Sequence, residues 1–124
     1  MSGLETVLAR RVREGRPAGE AALSVLAAEA ANTGICVDTP AWEAGIFAFQ
    51  RDPFTGEDSL LARFYTGSRR GTVCLRPDGS LYAEFDVLKR HPADPALWIE
   101  AVMAWGRPPE LKSEPRVLAM PQES

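Results

Sequence analysis

A strict alternation of apolar and polar side chains in residues 81–87, within the segment 80–88, constrains the fold more than any other feature of the sequence. The apolar positions are Leu81, Ala83, Phe85 and Val87, and the polar positions are Tyr82, Glu84 and Asp86. Successive side chains of a β-strand point to opposite faces of its sheet. The segment therefore predicts a strand of an antiparallel sheet that packs one face on a core.

Turn signals divide the preceding residues into three further strands. The predicted strands are 46–50, 59–66, 72–76 and 80–88, and the turns between them are 52–56, 67–71 and 77–79. Each turn segment contains glycine, and two of them also contain an Asp and a Pro, which are the residues that turns favour. These signals predict a four-stranded antiparallel meander.

Helical spacing of apolar residues predicts two helices before this sheet. Ser2 fits a capping box for a helix over about 3–14, and the Ala-rich segment 20–32 predicts a second helix. Gly15 and Pro17 lie between the two segments, where they predict a turn that joins an antiparallel helix pair.

A third helix is predicted after the sheet, over residues 96–105. Asp94 followed by Pro95 is typical of a helix N-terminus, and Gly106 is typical of a helix end. The predicted fold class is therefore α+β, with two N-terminal helices, a four-stranded antiparallel meander and one C-terminal helix. The helices are expected to pack on one face of the sheet.

The length of 124 residues indicates one domain. We expect this single α+β domain to span residues 1–107. Residues 108–124 contain four prolines and predict an extended or flexible Pro-rich tail. An alternative for the apolar run 117–120 in this tail is docking as an edge strand.

Composition and charge narrow the classes of function. The formal net charge is −3, which disfavours binding to nucleic acid because such binding usually needs a basic surface. No apolar stretch approaches the roughly 20 residues that cross a bilayer, so no membrane partner is expected. Two distant cysteines predict neither a metal site nor a cofactor. Without a secretory signal at the N-terminus, the predicted location is the cytoplasm.

Four titratable residues are candidates for catalysis. His91, the single histidine, is a candidate general base with Asp94 close in sequence, and Glu84 and Asp86 share one face of a strand. Each has a structural alternative. His91 suits a loop, Asp94 suits a helix N-cap, and the two strand carboxylates suit cross-strand ion pairs with arginines.

The candidate binding residues lie on the polar sheet face and in one loop. They are Arg63, Arg76, Tyr82 and Trp42. On the sheet face, the polar side chains either contact solvent or contact a partner. Trp42 either anchors a partner from its loop or covers one end of the core.

These observations favour a non-enzymatic interaction module of the adaptor, chaperone-like or regulatory type. Its expected partner is another protein or a second copy, bound at the sheet face or at an edge strand. One alternative is a small-ligand-binding protein or modest enzyme with a pocket near the loop that holds His91 and Asp94. A third interpretation is weak RNA binding through an arginine patch. The patch comprises Arg10, Arg11, Arg13 and Arg16.

Overall fold

The described part of the chain forms one long helix and one antiparallel sheet. The computed structural model describes residues 5–36, 38–66 and 69–119. The elements are α1 (Val7–Asn32), a 3₁₀ turn (Trp42–Ala44), β1 (Ile46–Arg51), β2 (Asp58–Thr66), β3 (Arg69–Leu75), β4 (Leu81–Arg90), β5 (Leu97–Gly106) and β6 (Lys112–Ala119). The six strands lie in the order β1-β2-β3-β4-β5-β6, so each pairs with the next along the chain. The predicted α+β class with an antiparallel sheet is confirmed.

Helix α1 covers one face of this sheet. Its buried residues recur at helical spacing and are Gly19, Ala22, Leu23, Leu26 and Ala30. They form one hydrophobic core with alternate residues of the strands, among them Leu60, Phe64, Val73, Leu81, Phe85, Val102 and Ala104. The sheet thereby buries one face against α1, and α1 does not cover the other face.

The prediction of two N-terminal helices is wrong, because α1 continues through Gly15 and Pro17 without interruption. Pro17 has no N–H to donate to the carbonyl four residues before it, which weakens a helix. Next to that position, the Val12 carbonyl accepts the indole N–H of Trp42 at 2.9 Å. A side chain from outside the helix thus bonds to the helix backbone where proline disturbs it.

The N-terminus of α1 also differs from the prediction. The capping box proposed at Ser2 lies outside the described residues. The N-cap of α1 is Thr6, whose hydroxyl accepts the N–H of Ala9 at 3.0 Å. A hydroxyl acceptor at this position satisfies one of the backbone donors that a helix start leaves free.

The predicted C-terminal helix is wrong as well, because residues 97–106 form strand β5. The Asp94 side chain accepts the N–H of Ala96 at 3.0 Å, and its carbonyl accepts the N–H of Leu97 at 3.0 Å. The residues that suggested a helix start therefore build a tight turn between β4 and β5. Strand β5 lies between two neighbours inside the sheet, so both of its faces carry apolar residues. A bulge at Glu100 further disturbs the alternation.

The sheet has six strands instead of the four predicted, because the C-terminal segment adds a second unexpected strand. The four predicted strands correspond to β1–β4 with small shifts at their ends. Residues 112–119, which the sequence assigned to a tail, pair with β5 as strand β6. Residues 117–119 of the apolar run thus lie on an edge strand, and the sheet extends beyond the domain boundary expected at residue 107.

Candidate functional site on the open face of the sheet

The sheet face opposite α1 is the candidate functional surface of the protein, and we call it the open face. Among the described residues, no helix packs on it. The strand alternation that turns Leu60, Val73 and Phe85 toward α1 turns their sequence neighbours toward this face. The open face therefore presents side chains from all six strands on one surface.

An apolar row crosses the open face perpendicular to the strands. Residues directly opposite one another in the strand register make up this apolar row, which consists of Ala48, Leu61, Cys74, Tyr82 and Trp105. Lys112 on β6 closes the row at its far end. Four members are half-buried and Ala48 is exposed. Directly opposed side chains are close enough to touch, so the row forms a continuous strip.

Two charged rows run beside the apolar row. The first contains Arg63, Thr72, Glu84, Met103 and Glu114, and the second contains Tyr65, Arg70, Asp86, Ala101 and Arg116. Each of the two rows contains charges of both signs. Several of these residues line a shallow depression of about 500 Å³ in the centre of the face. The open face thus combines an apolar strip with a mixed-charge border.

A short hydrogen-bonded chain connects the apolar row to the charged rows along β4. The Tyr82 hydroxyl donates to Glu84 Oε2 at 2.6 Å, and Arg70 Nε donates to Asp86 Oδ2 at 3.1 Å. A hydrogen bond to Asp86, followed by partial burial, raises the pKa of the Glu84 carboxyl above its ordinary value of 4.5. Burial and the Glu84 carboxyl together raise the pKa of Tyr82 to about 12. The chain orders these side chains, and Tyr82 stays a hydrogen-bond donor at neutral pH.

The structure brings most of the sheet-face candidates together. Arg63, Tyr82, Glu84 and Asp86 lie on the open face. Arg76 follows the end of β3, and its guanidinium lies 3.5 Å from the Ser80 hydroxyl. The expected cross-strand ion pair is present with a different arginine. Asp86 pairs with Arg70, which the sequence had assigned to a turn.

Trp42 is not part of this surface. Its side chain is only 2% exposed and lies in the core, where it makes an edge contact with the ring of Phe47 and a tilted contact with the ring of Phe64. This is the alternative in which Trp42 covers the core. The binding role predicted for it requires correction, because a buried indole presents no surface to a partner.

His91 and Asp94 lie apart from Glu84 and Asp86. Both belong to the β4–β5 connection, where His91 Nδ1 accepts the N–H groups of Ala93 at 3.1 Å and Asp94 at 3.2 Å. This nitrogen is thus occupied by the turn. His91 follows Asp86 by five residues, which is roughly 15 Å along a strand. The four candidate catalytic residues therefore do not converge on one site.

Sequence reasoning missed the aromatic residues that β5 contributes to the open face. Trp105 lies opposite Tyr82, and Trp98 lies opposite Arg90, whose guanidinium is 4.7 Å from the centre of the indole ring. The assignment of residues 96–105 to a helix hid both residues. The two-residue spacing of Ala101, Met103 and Trp105 was the available signal for a strand.

Ion pairs on α1 account for most of the arginine patch. Arg10 pairs with Glu14 at 3.9 Å, Arg13 with Glu5 at 3.1 Å and Arg16 with Glu20 at 2.7 Å. Arg11 lies over the ring of Phe49, 5.9 Å from its centre. Neighbouring carboxylates thus offset much of the positive charge on which RNA binding would depend.

Other classes of site find no counterpart in the described part of the chain. Across residues 5–36, 38–66 and 69–119, no group of three or more His, Cys, Asp or Glu residues has an arrangement suited to a metal ion. None of the helical residues described forms a stretch long and apolar enough to cross a bilayer. Comparison with family models, curated proteins and solved structures found no match to this chain.

Proposed function

We propose that this protein is a non-catalytic interaction module of the adaptor, chaperone-like or regulatory type, located in the cytoplasm, which binds a protein partner on its open face. One observation carries the proposal. The open face presents an apolar row across all but the last of the six strands, and no described helix covers it. Antiparallel sheets commonly leave one face to water, but that face is then predominantly polar.

The residue types on the open face suit a protein partner. Tyr65 is 60% exposed, and Trp98, Trp105 and Tyr82 are half-buried on the same face. A few residues supply most of the binding energy of a protein interface, and tyrosine, tryptophan and arginine are enriched among them. The mixed charges around them resemble the polar rim that surrounds the apolar centre of an interface.

Two arginines on or beside this face are available to a partner's carboxylates. Within residues 5–36, 38–66 and 69–119, no carboxylate lies within 4.0 Å of the guanidinium of Arg63 or Arg76. By contrast, Asp86 and Glu100 are paired with Arg70 and Arg116. We therefore expect the partner to place acidic side chains near β2 and β3 and apolar side chains over the apolar row.

The alternatives have weaker support. A ligand site or modest enzyme at the β4–β5 connection would need His91 and Asp94 to act with Glu84 and Asp86, and these pairs lie far apart along β4. RNA binding through α1 would need arginines that carboxylates do not offset. A small ligand in the depression beside Glu84 and Asp86 remains the second candidate, because Arg63 and Arg70 line the same depression.

Gentle purification of the tagged chain from its source cells, followed by native mass spectrometry, tests the proposal. The test variant combines Tyr65→Ser with Arg63→Glu on the open face. The matched control combines Val7→Ser with Arg10→Glu on the exposed side of α1, where Val7 is 59% exposed. Each pair replaces one exposed apolar or aromatic side chain and reverses one charge.

We expect a stoichiometric protein partner with the wild-type chain and with the α1 control, and loss of that partner with the open-face variant. Retention of the partner by the open-face variant would contradict the proposal. A chain that carries a bound small molecule and no protein would support the second candidate instead.

A further inference from the structure

The two edges of the sheet are protected to different extents. Edge strand β6 contains Pro115, which has no N–H to offer another strand, and charged residues at alternate positions. Edge strand β1 begins with Ile46 and has no charge or proline before Arg51. Charged residues and proline are the usual means by which proteins prevent an edge from pairing with another strand. The β1 edge lacks them over residues 46–50.

The hydrogen-bonding groups that β1 directs outward follow from its pairing with β2. The N–H of Asp52 donates to the carbonyl of Glu57 at 2.9 Å, in continuation of the β1–β2 ladder. In an antiparallel pair, alternate residues direct their backbone groups toward the neighbouring strand. Hence Phe47, Phe49 and Arg51 direct their backbone N–H and C=O groups away from β2, toward the free edge.

We infer that β1 pairs with β1 of a second copy of this chain, antiparallel and around a twofold axis at Ala48. With the axis there, Phe47, whose backbone groups point to the free edge, lies opposite Phe49 of the second copy. The twofold symmetry repeats this aromatic pair. Ala48 lies opposite itself, and Ile46 lies opposite Gln50. Moving the axis to Phe49 would instead place Phe47 opposite Arg51, which is a poorer cross-strand pair.

The exposure of side chains along this edge supports the pairing. Ile46 is 62% exposed and Phe49 is 39% exposed. Phe54 is 96% exposed at the tip of the β1–β2 hairpin, and in this register the tip extends past Ile46 of the second copy. Three large apolar side chains at one edge are therefore offered to the second copy.

The inferred pairing also joins two copies of the candidate binding surface. Ala48 is the β1 end of the apolar row, so an axis at Ala48 aligns the apolar rows of the two copies end to end. The dimer doubles the six-stranded sheet and keeps both open faces on one side. A twofold pairing also closes the assembly, whereas pairing of β1 with β6 would produce an open chain of copies.

This inference rests on the proposal of an interaction module and names a second copy as one partner, but the contact it describes is the backbone edge of β1, which shares only Ala48 with the apolar row. Loss of self-pairing would leave the open-face proposal intact, and loss of the open-face partner would leave self-pairing intact. The two claims can thus fail separately.

Sedimentation of the purified full chain tests the inference. Ala48 is exposed, so Ala48→Lys and Ala48→Glu should fold as the wild type does, which circular dichroism will verify. Each variant alone places like charges opposite each other at the axis, which is unfavourable. We expect a dimeric wild type and a dimer dissociation constant raised about tenfold or more in each variant.

An equimolar mixture of the two variants should recover the dimer. The matched control is Ala119→Lys on exposed β6, which should remain dimeric.

Three results would overturn the inference. They are a wild-type chain that stays monomeric at high concentration, a dimer that persists in both Ala48 variants, and a dimer that Ala119→Lys weakens equally. Amide hydrogen exchange provides a second readout without any substitution. The N–H groups of Phe47 and Phe49 should become protected as protein concentration rises, and exchange independent of concentration would also contradict self-pairing.

Discussion

The indole ring of Trp42 packs directly on the backbone of Gly19, so that a Cβ atom at residue 19 would overlap the ring. The ring cannot easily move, because it is 2% exposed and its centre lies 4.9 Å from that of Phe47. We predict that Gly19→Ala lowers the free energy of unfolding by about 1–3 kcal/mol through overpacking. Most of this range exceeds the gain of about 1 kcal/mol that alanine otherwise gives a helix, so we expect a net loss of stability. Urea unfolding followed by circular dichroism measures it.

Gly15→Ala is the matched control for that prediction. A Cβ at residue 15 would come within 2.6 Å of a terminal methyl group of Leu75, which can rotate away. We expect an unchanged free energy of unfolding, or a gain of up to about 1 kcal/mol from helix propensity. Equal destabilisation by both substitutions would show that the contact with Trp42 is not the cause.

The raised pKa of Glu84 predicts how stability depends on pH. The native state binds the Glu84 proton more tightly than the unfolded state does, and this difference stabilises the fold. The stabilisation is fully present below about pH 4.5 and is lost as pH rises through the native pKa of Glu84. Glu84→Gln cannot ionise and still offers an acceptor to Tyr82. We therefore expect the free energy of unfolding of this variant to rise relative to wild type above that pH. A constant difference between the two curves would refute the assignment.

Tyr82→Phe tests how the Tyr82 hydroxyl affects the pKa of Glu84. The Tyr82 hydrogen bond lowers the pKa of Glu84 and partly offsets the effects of Asp86 and burial. Its removal should raise the pKa of Glu84 further. A carbon NMR titration of the Glu84 carboxyl should give a midpoint above 4.5 in the wild type and a higher midpoint in the variant. A lower midpoint in Tyr82→Phe would contradict the described geometry.

The position of His91 predicts an effect on stability. Its Nδ1 accepts two backbone N–H groups of the β4–β5 turn, so His91→Ala should lower the free energy of unfolding by about 1–2 kcal/mol. His91→Asn retains a nearby acceptor oxygen and should recover part of that loss. Thermal unfolding of both variants measures the difference. Full stability in His91→Ala would reopen the catalytic interpretation of this residue.

Strands β1–β4 were predictable because local signals and tertiary environment agree there. Strands β2, β3 and β4 each have one face on the core, and β1 packs Phe47 against it, so burial imposes the alternation seen in Leu81, Ala83 and Phe85. Each turn also has residues that suit its backbone, such as Gly79 with a positive φ of 88°. Sequence reasoning succeeds where these two levels coincide.

The helix break and the third helix were wrong for tertiary reasons. Gly15 and Pro17 suggest a turn when read locally, but the glycine leaves room for Leu75 and the indole of Trp42 bonds to the helix backbone. An interior strand with two apolar faces cannot be distinguished from a helix by periodicity alone. The sequence therefore predicted some residues of the open face and missed others. Tyr82 and Glu84 were placed by alternation, and Trp105 was not.

Covalent footprinting of the aromatic residues tests most directly whether the open face is a protein-binding surface. Tyr65, Trp98 and Trp105 would be labelled in the isolated chain and in the complex purified gently from source cells, with buried Trp42 as the internal control. We predict labelling of these three residues in the isolated chain, strong protection in the complex, and little labelling of Trp42 in either. Equal labelling of the three residues in both samples would contradict it.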